Sequence, residues 1–247
     1  SGTKTDFSGL FAGTSGMPAG SLVSYMESHD EERMGFKAWK WGEKGVIASA
    51  ASTNTGVSPS AGSNINLPTR MKRLATNAAF FLTVPGPKMI WQFGELGYDF
   101  SINNNSDGSK YDAQGSYRTD PKPIRWDYWE DADRKKLYHT YATLLDLRHS
   151  YPELFASDVV FTWKVRGTDW NNGRILSATS ADGEKSLVIV GNFTLADNNI
   201  SATFPETGTW YELLADNAPL NVSATTQSIA VPAHEFRLFT NFKPTLT

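Results

Sequence analysis

The sequence predicts two architectures in one chain: an α/β part over residues 1–157 and an antiparallel β-sandwich over residues 158–247. Three observations carry this. Apolar residues at helical spacing alternate with short apolar runs in the first part. After Ser157 the apolar pattern changes to period two. Turn signals then separate the segments at close intervals, as they do in small sandwiches.

In the first part, residues 22–27 form a short strand candidate after the Gly- and Ser-rich residues 13–21. A helix pattern follows a polar, aperiodic stretch over 42–67. Met71, Leu74, Ala75, Ala78, Phe81 and Leu82 recur at three, four and seven, with Pro68 near the start and Pro85-Gly86-Pro87 at the stop. Residues 89–92 are a second strand candidate. The loop after it, about 35 residues, is too long to be a mere connector. A second helix spans residues 133–150. Leu137, Tyr141, Leu144, Leu145 and Arg148 share its face, and Asp131 or Asp133 is available as its cap. In the second part, seven strands are expected at 159–165, 174–179, 186–193, 199–204, 209–214, 227–231 and 235–240, with Asp182-Gly183 as a hairpin turn.

Strand, helix, strand, helix suggests parallel βα units. A closed barrel of such units needs about eight of them and about 250 residues. Residues 1–157 hold two. Two lone parallel strands would expose both edges, which predicts self-association, an altered local fold, or disorder in residues 1–20 and 42–66.

Composition bounds the function. The chain has 247 residues, 40% of them hydrophobic, so it can bury a sizeable core. A net charge of −3 without a Lys/Arg-rich block gives no electrostatic reason to expect nucleic acid. No run of 18 apolar residues supplies a membrane-spanning helix. The absence of cysteine excludes disulfides, thiol catalysis and cysteine metal sites. Residues 1–6 have no signal-peptide character.

Three clusters could carry chemistry. Glu27-Ser28-His29-Asp30-Glu31-Glu32-Arg33 follows the first strand, where parallel βα architectures build active sites. It also reads as a solvated charged loop. Trp91-Gln92-Phe93-Gly94-Glu95-Leu96-Gly97-Tyr98-Asp99 follows the second strand, and equally reads as an aromatic strand end. Lys122-Pro123-Ile124-Arg125-Trp126-Asp127-Tyr128-Trp129 equally reads as a loop packed under the last helix. All three combine flat aromatic faces with carboxylates and amides, which suits sugars. Trp39, Trp41, Trp91, Tyr98, Trp126 and Trp129 are candidates for stacking, or for core.

Tyr25-Met26-Glu27-Ser28-His29-Asp30 resembles the fourth sequence region of the α-amylase family, glycoside hydrolase family 13, at the end of the seventh barrel strand. Residues 85–95 resemble the family's eighth-strand segment. Residues 122–128, the final helix and a β domain match its usual C-terminal end. The likeness is nearest to starch-degrading amylases of gut bacteria with a Gly-Tyr-Asp segment after the eighth strand. Two departures stand out: Glu27-Ser28 in place of Asp-Asn, and Phe93 where a glycine is usual.

The resemblance implies the C-terminal portion of a (β/α)8 TIM barrel, its seventh and eighth βα units, followed by a C-terminal sandwich. It implies that Asp30 is the catalytic carboxylate that stabilises the transition state by gripping sugar hydroxyls, and that His29 bonds the same ring. Glu95, Tyr98, Arg125 and Trp126 would line the cleft. The partner would be an α-1,4-glucan, met outside the cytoplasm, whether in the medium, at the cell surface or in the periplasm.

A retaining glycosidase also needs a nucleophile and an acid, two carboxyl groups about 5 Å apart. The family's nucleophile lies in Gly-x-Arg-x-Asp, which does not occur here. Arg118-Thr119-Asp120 mimics its last three positions at the wrong place in the chain order. The expectation is therefore a C-terminal part of an amylase, without its two central carboxylates and inactive alone. Two other readings stand beside it: a noncatalytic carbohydrate-binding accessory module, and a scaffold that keeps the fold without chemistry. Residues 103–108 resemble the start of a calcium loop, but its twelfth residue is Gln114 and not the bidentate Glu. No cofactor is expected in this chain, with calcium left to the remainder of a parent enzyme.

Overall fold

A computed structural model describes residues 6–42, 66–165 and 173–246. Most of the polar stretch over 42–67, and part of the segment 1–20, lie outside the described residues. The chain forms two compact units. The first comprises Ser1–Ser24, Thr76–Lys88 and Tyr141–Thr247, and the second Tyr25–Ala75 and Met89–Thr140. In chain order the α/β elements are β1 (Ser24–Tyr25), α1 (Met34–Trp41), α2 (Leu67–Thr83), β2 (Lys88–Met89) and α3 (Ala132–Ser150). The strands β1 and β2 pair with each other in a two-stranded sheet.

Both long helices lie where their periodicity puts them, and their ends have identifiable causes. Asp131 caps α3, its Oδ1 accepting the amides of Asp133 at 2.9 Å and Arg134 at 3.0 Å. The chain leaving α2 is closed by Arg148, whose guanidinium donates to the carbonyls of Leu82, Val84 and Gly86 at 2.6, 3.1 and 2.8 Å. Both strands are shorter than expected, two residues each.

Helix α1 has no counterpart in the sequence expectation. Its N-cap residue, Arg33, offers no side-chain bond. The amide of Met34 is satisfied instead by the Glu27 carboxylate, at 2.7 Å, from seven residues upstream. A capping signal at that distance lies outside any local pattern.

Among the described residues the β part contains eight strands, not seven: β3 (Val160–Lys164), β4 (Arg174–Thr179), β5 (Ser186–Gly191), β6 (Asn198–Thr203), β7 (Gly208–Glu212), β8 (Ala218–Val222), β9 (Thr226–Val231) and β10 (Phe236–Thr240). One sheet has the order β3-β4-β5-β10-β7-β8 and the other pairs β6 with β9. The Asp182-Gly183 turn joins β4 to β5 as an antiparallel hairpin, with Gly183 at φ 79°. The extra strand, β8, contains Pro219 opposite Tyr211. Proline weakens a strand signal, yet it is tolerated on an edge, and β8 pairs only with β7.

The two sheets share one core. Val188 and Val190 of β5 pack with Ile200 and Ala202 of β6, Ile229 and Val231 of β9, and the rings of Phe204, Trp210 and Phe239. The registered pair Ile200↔Ile229 places these side chains on one face of the smaller sheet. Strand β5 is buried at every position, as expected of a central strand covered on both faces. On its other side Phe80 stacks on Phe7 at 5.4 Å and tilts against Phe193 at 5.8 Å. Gly191 ends β5 there, and a Cβ at this position would come within 2.5 Å of the Phe80 ring. Gly191→Ala should therefore cost about 1–3 kcal/mol by overpacking. Urea titration of the two proteins checks this, and equal midpoints would show that the ring can yield.

Candidate functional site

The segment after β1 sorts its charged residues by environment. Ser28 is the cause. Its Oγ accepts the amides of Asp30 at 3.1 Å and Glu31 at 3.2 Å, closing a tight turn. Glu27 and Ser28 on one side of the turn are buried, while His29, Asp30 and Glu31 are exposed. Arg33 folds back beneath the turn, donating to the Ser28 carbonyl at 2.5 Å, with its guanidinium 5.7 Å from both the Trp91 and Tyr98 rings. Glu32 reaches across to the loop after β2. It accepts the Ser101 hydroxyl at 2.6 Å and the Ile102 amide at 3.0 Å. The segment is thus an anchored turn and not a solvated charged loop.

Asp30 and His29 stand at its tip. The side chain of Asp30 is 64% exposed, and its Oδ2 lies 3.1 Å from His29 Nε2. The imidazole is tilted over Trp91, with ring centroids 5.9 Å apart. On the other carboxylate oxygen sits Arg118, which sequence reasoning had set aside as a misplaced motif. Its Nη2 donates to Asp30 Oδ1 at 3.2 Å and to the Asp30 main-chain carbonyl at 2.7 Å. The only sequence signal was Arg118-Thr119-Asp120 itself.

Glu27, three residues from Asp30, has the opposite surroundings. Burial pushes its carboxyl up to about 7, against the Met34 amide and Arg33, which pull it down, while Glu95 adds to the rise. Among the described residues its Oε1 has no hydrogen-bond partner, and a Cβ on Gly94 would clash with it. Burial also raises the carboxyl of half-buried Glu95.

Of the remaining predicted residues, Tyr98 is corrected. It is fully buried, its ring stacks with Phe93, and its hydroxyl donates to the Pro123 carbonyl at 2.7 Å. It is a core residue, and no face is free for a sugar. Arg125 is bound to its own loop, donating from Nε to Asp127 Oδ1 at 2.8 Å and lying 4.3 Å above the Tyr128 ring. Trp126 is 74% exposed. Phe93 supports it edge-on at 4.9 Å. Phe93 is itself in the left-handed region, at φ 59°, which explains why a glycine would suit this position. Among the stacking candidates, Trp39 is buried, Trp91 half-buried, and Trp41 and Trp129 exposed.

The platform beneath these residues is an ion cluster. Asp99 is fully buried, receiving Arg70 Nη1 and Arg134 Nη2 on Oδ2, each at 3.0 Å, and the Tyr128 hydroxyl on Oδ1. Both arginines hold its carboxyl well below the usual range, against the effect of burial. Arg134 also donates to the carbonyls of Leu96 and Gly97, each at 2.7 Å.

The long loop after β2 is organised by its own polar groups. Asn104 accepts the Ser101 amide at 2.8 Å and donates to the Lys110 carbonyl at 2.9 Å. Lys122 Nζ is held by the carbonyls of Asn104, Tyr117 and Asp120 at 2.9, 2.7 and 2.9 Å. In the calcium-like stretch, Asp107 accepts the amide and hydroxyl of Ser109. Among the described residues no three acidic or imidazole groups gather to hold a metal ion, and no helix is long and apolar enough to cross a membrane.

Two expectations follow. Between pH 4.5 and about 7 the folded state holds a proton on Glu27 that the unfolded chain releases, so Glu27 makes stability fall as pH rises through this window. Glu27→Gln should flatten that fall in pH-resolved urea titrations; an unchanged slope would deny the buried acid. Lys88, lowered to about 7 by burial, works in the window above, where its contribution raises stability with pH. Asp99→Asn leaves two buried guanidinium groups without their counter-charge and should cost about 3–5 kcal/mol. Differential scanning calorimetry checks this, and a loss below about 1 kcal/mol would mean the cluster behaves like a surface pair.

No protein-family model and no curated protein matches this chain. Solved structures do. An alpha-amylase from Geobacillus thermoleovorans, complexed with acarbose, superposes with TM-score 0.50 at 14% identity, covering 73% of this chain and 35% of that one. A variant of AmyP in complex with maltotriose gives TM-score 0.51 at 15% identity, covering 71% of this chain and 36% of that one. The chain thus spans about a third of the length of these structures. At such identities the likeness is one of fold, and that fold is shared with part of the α-amylases.

Proposed function

We propose that this chain forms the C-terminal part of a retaining α-glucan hydrolase of the α-amylase type. In this reading β1 and β2 are the seventh and eighth strands of a (β/α)8 barrel, and residues 158–247 are the C-terminal sandwich. Asp30 grips hydroxyls of the ring being cleaved, His29 bonds the same ring, and Glu95, Arg125 and Trp126 border the cleft. The substrate is a starch-like α-1,4-glucan, handled outside the cytoplasm. The sequence contains no Gly-x-Arg-x-Asp nucleophile motif, so the chain alone binds and does not cleave.

The observation that carries this reading is the exposed His29–Asp30 pair in the turn after β1, side by side, with the imidazole tilted against the Trp91 ring. An ionised carboxylate with open lone pairs and an adjacent imidazole is a fitting receptor for vicinal hydroxyls. The placement of tryptophan favours this site over a sandwich-based binding module. Among the described residues, Trp41, Trp126 and Trp129 are exposed in the unit that contains Asp30, whereas in the sandwich Trp210 is buried and Trp163 half-buried.

Calorimetric titration with maltoheptaose, run beside a reducing-sugar assay on starch, tests the proposal. Binding at about millimolar Kd without turnover is expected, and Asp30→Ala or Trp126→Ala should weaken it by about five- to thirtyfold, the equivalent of 1–2 kcal/mol. Robust turnover would mean that the bond-breaking carboxylates lie elsewhere in this sequence. Binding that survives both substitutions would move the sugar site away from Asp30.

A further inference from the structure

Asp30 has a partner that its own segment does not supply. Arg118 belongs to the polar loop after β2, and its Nη2 meets both the main-chain carbonyl and the carboxylate of Asp30. A bond to the carboxylate alone would leave the Asp30 carbonyl out of the contact. A bond to the carbonyl alone would leave the side chain free. Together they fix the residue at two points. Arg118 is not a loose surface residue, because its loop is pinned around it. The Arg118 amide donates to the Gly115 carbonyl at 3.0 Å, and Lys122 holds the carbonyls of Tyr117 and Asp120 on either side.

The energetics place the consequence in geometry and not in stability. Exposed ion pairs contribute about 1 kcal/mol or less, and both partners are solvent-accessible. An ionised carboxylate offers about four lone-pair sites over two oxygens. Arg118 takes one on Oδ1 and His29 faces Oδ2, which leaves a site on each oxygen for a sugar hydroxyl. Both oxygens are reached by one guanidinium nitrogen, Nη2, so a lysine ammonium in its place could reproduce part of the contact.

We propose that Arg118 is a positioning residue for Asp30, clamping its carbonyl and carboxylate so that the free lone pairs face an incoming glucan. This rests on the reading of Asp30 as the hydroxyl-gripping carboxylate. A double-mutant cycle on maltoheptaose affinity tests it. Arg118→Ala should weaken binding about three- to tenfold, Arg118→Lys should restore part of the loss, and in an Asp30→Ala background removal of Arg118 should have no further effect. An equal loss in both backgrounds would overturn the proposal, since Arg118 would then act on the sugar or the fold directly. Hydrogen exchange supplies a readout that needs no sugar. The amides of Asp30 and Glu31, bonded to Ser28 Oγ, should exchange faster in Arg118→Ala and be slowed again in Arg118→Lys. Unchanged exchange would overturn the clamp. If the wild-type chain shows no maltoheptaose affinity, the proposed function fails while the exchange experiment still decides the clamp.

Discussion

The buried carboxylate of Asp99 is the constraint on which the site depends. A charge with no solvent access must be met, and Arg70 from α2, Arg134 from α3 and Tyr128 from the short helical turn before α3 donate to it. Through Arg134 the same cluster holds the carbonyls of Leu96 and Gly97. The segment after β2 is therefore fixed to two helices by one ion. Phe93, Leu96, Tyr98, Phe100 and Tyr128 then pack as a separate aromatic core. Trp126, Arg33 and, through Trp91, His29 all rest on rings of this segment. Such a cluster adds little net stability compared with an apolar core of the same volume, but it permits few alternative arrangements.

On that base, one turn separates two carboxylates of similar intrinsic chemistry. Glu27 faces inward, with one oxygen on the Met34 amide and the other without a partner among the described residues, and burial raises its pKa to about 7. Asp30 faces outward toward Arg118 and His29. The sorting follows from the Ser28 hydroxyl, which takes two amides and reverses the chain. Glu27 spends its carboxylate on the first amide of α1, a structural task. Asp30 keeps unused acceptor capacity. Asp30, unlike its neighbours Glu27 and Glu32, thus keeps a carboxylate that faces solvent.

What the sequence made legible was whatever local pattern encodes. The periods of α2 and α3, the Asp131 cap and the Asp182-Gly183 hairpin all express themselves within a few residues, and all appear at the expected places. Features governed by distant partners were not legible. Helix α1 starts on a carboxylate seven residues upstream. Strand β8 carries a proline that only an edge position excuses. Tyr98 looked like a stacking residue because nothing local reports that its ring closes a core. Arg118 was discounted by chain order, although space and not order decides which guanidinium reaches Asp30.

The same contrast separates the groups that this segment leaves open to solvent from those it commits to structure. Binding a hydroxyl pair needs only one oriented carboxylate, a neighbouring donor or acceptor and an aromatic face. His29 lies within hydrogen-bonding range of Asp30 and within ring-contact range of Trp91. Retaining hydrolysis needs two further carboxyl groups on opposite sides of one bond. Of the acids nearest Asp30 in sequence, Glu27 is buried on an amide, Glu32 is bonded to Ser101 and Ile102, and Glu31 is exposed. Neither Glu27 nor Glu32 can turn outward without releasing the first amide of α1 or the loop after β2, so the carboxylates that this segment leaves facing solvent are those of Asp30 and Glu31.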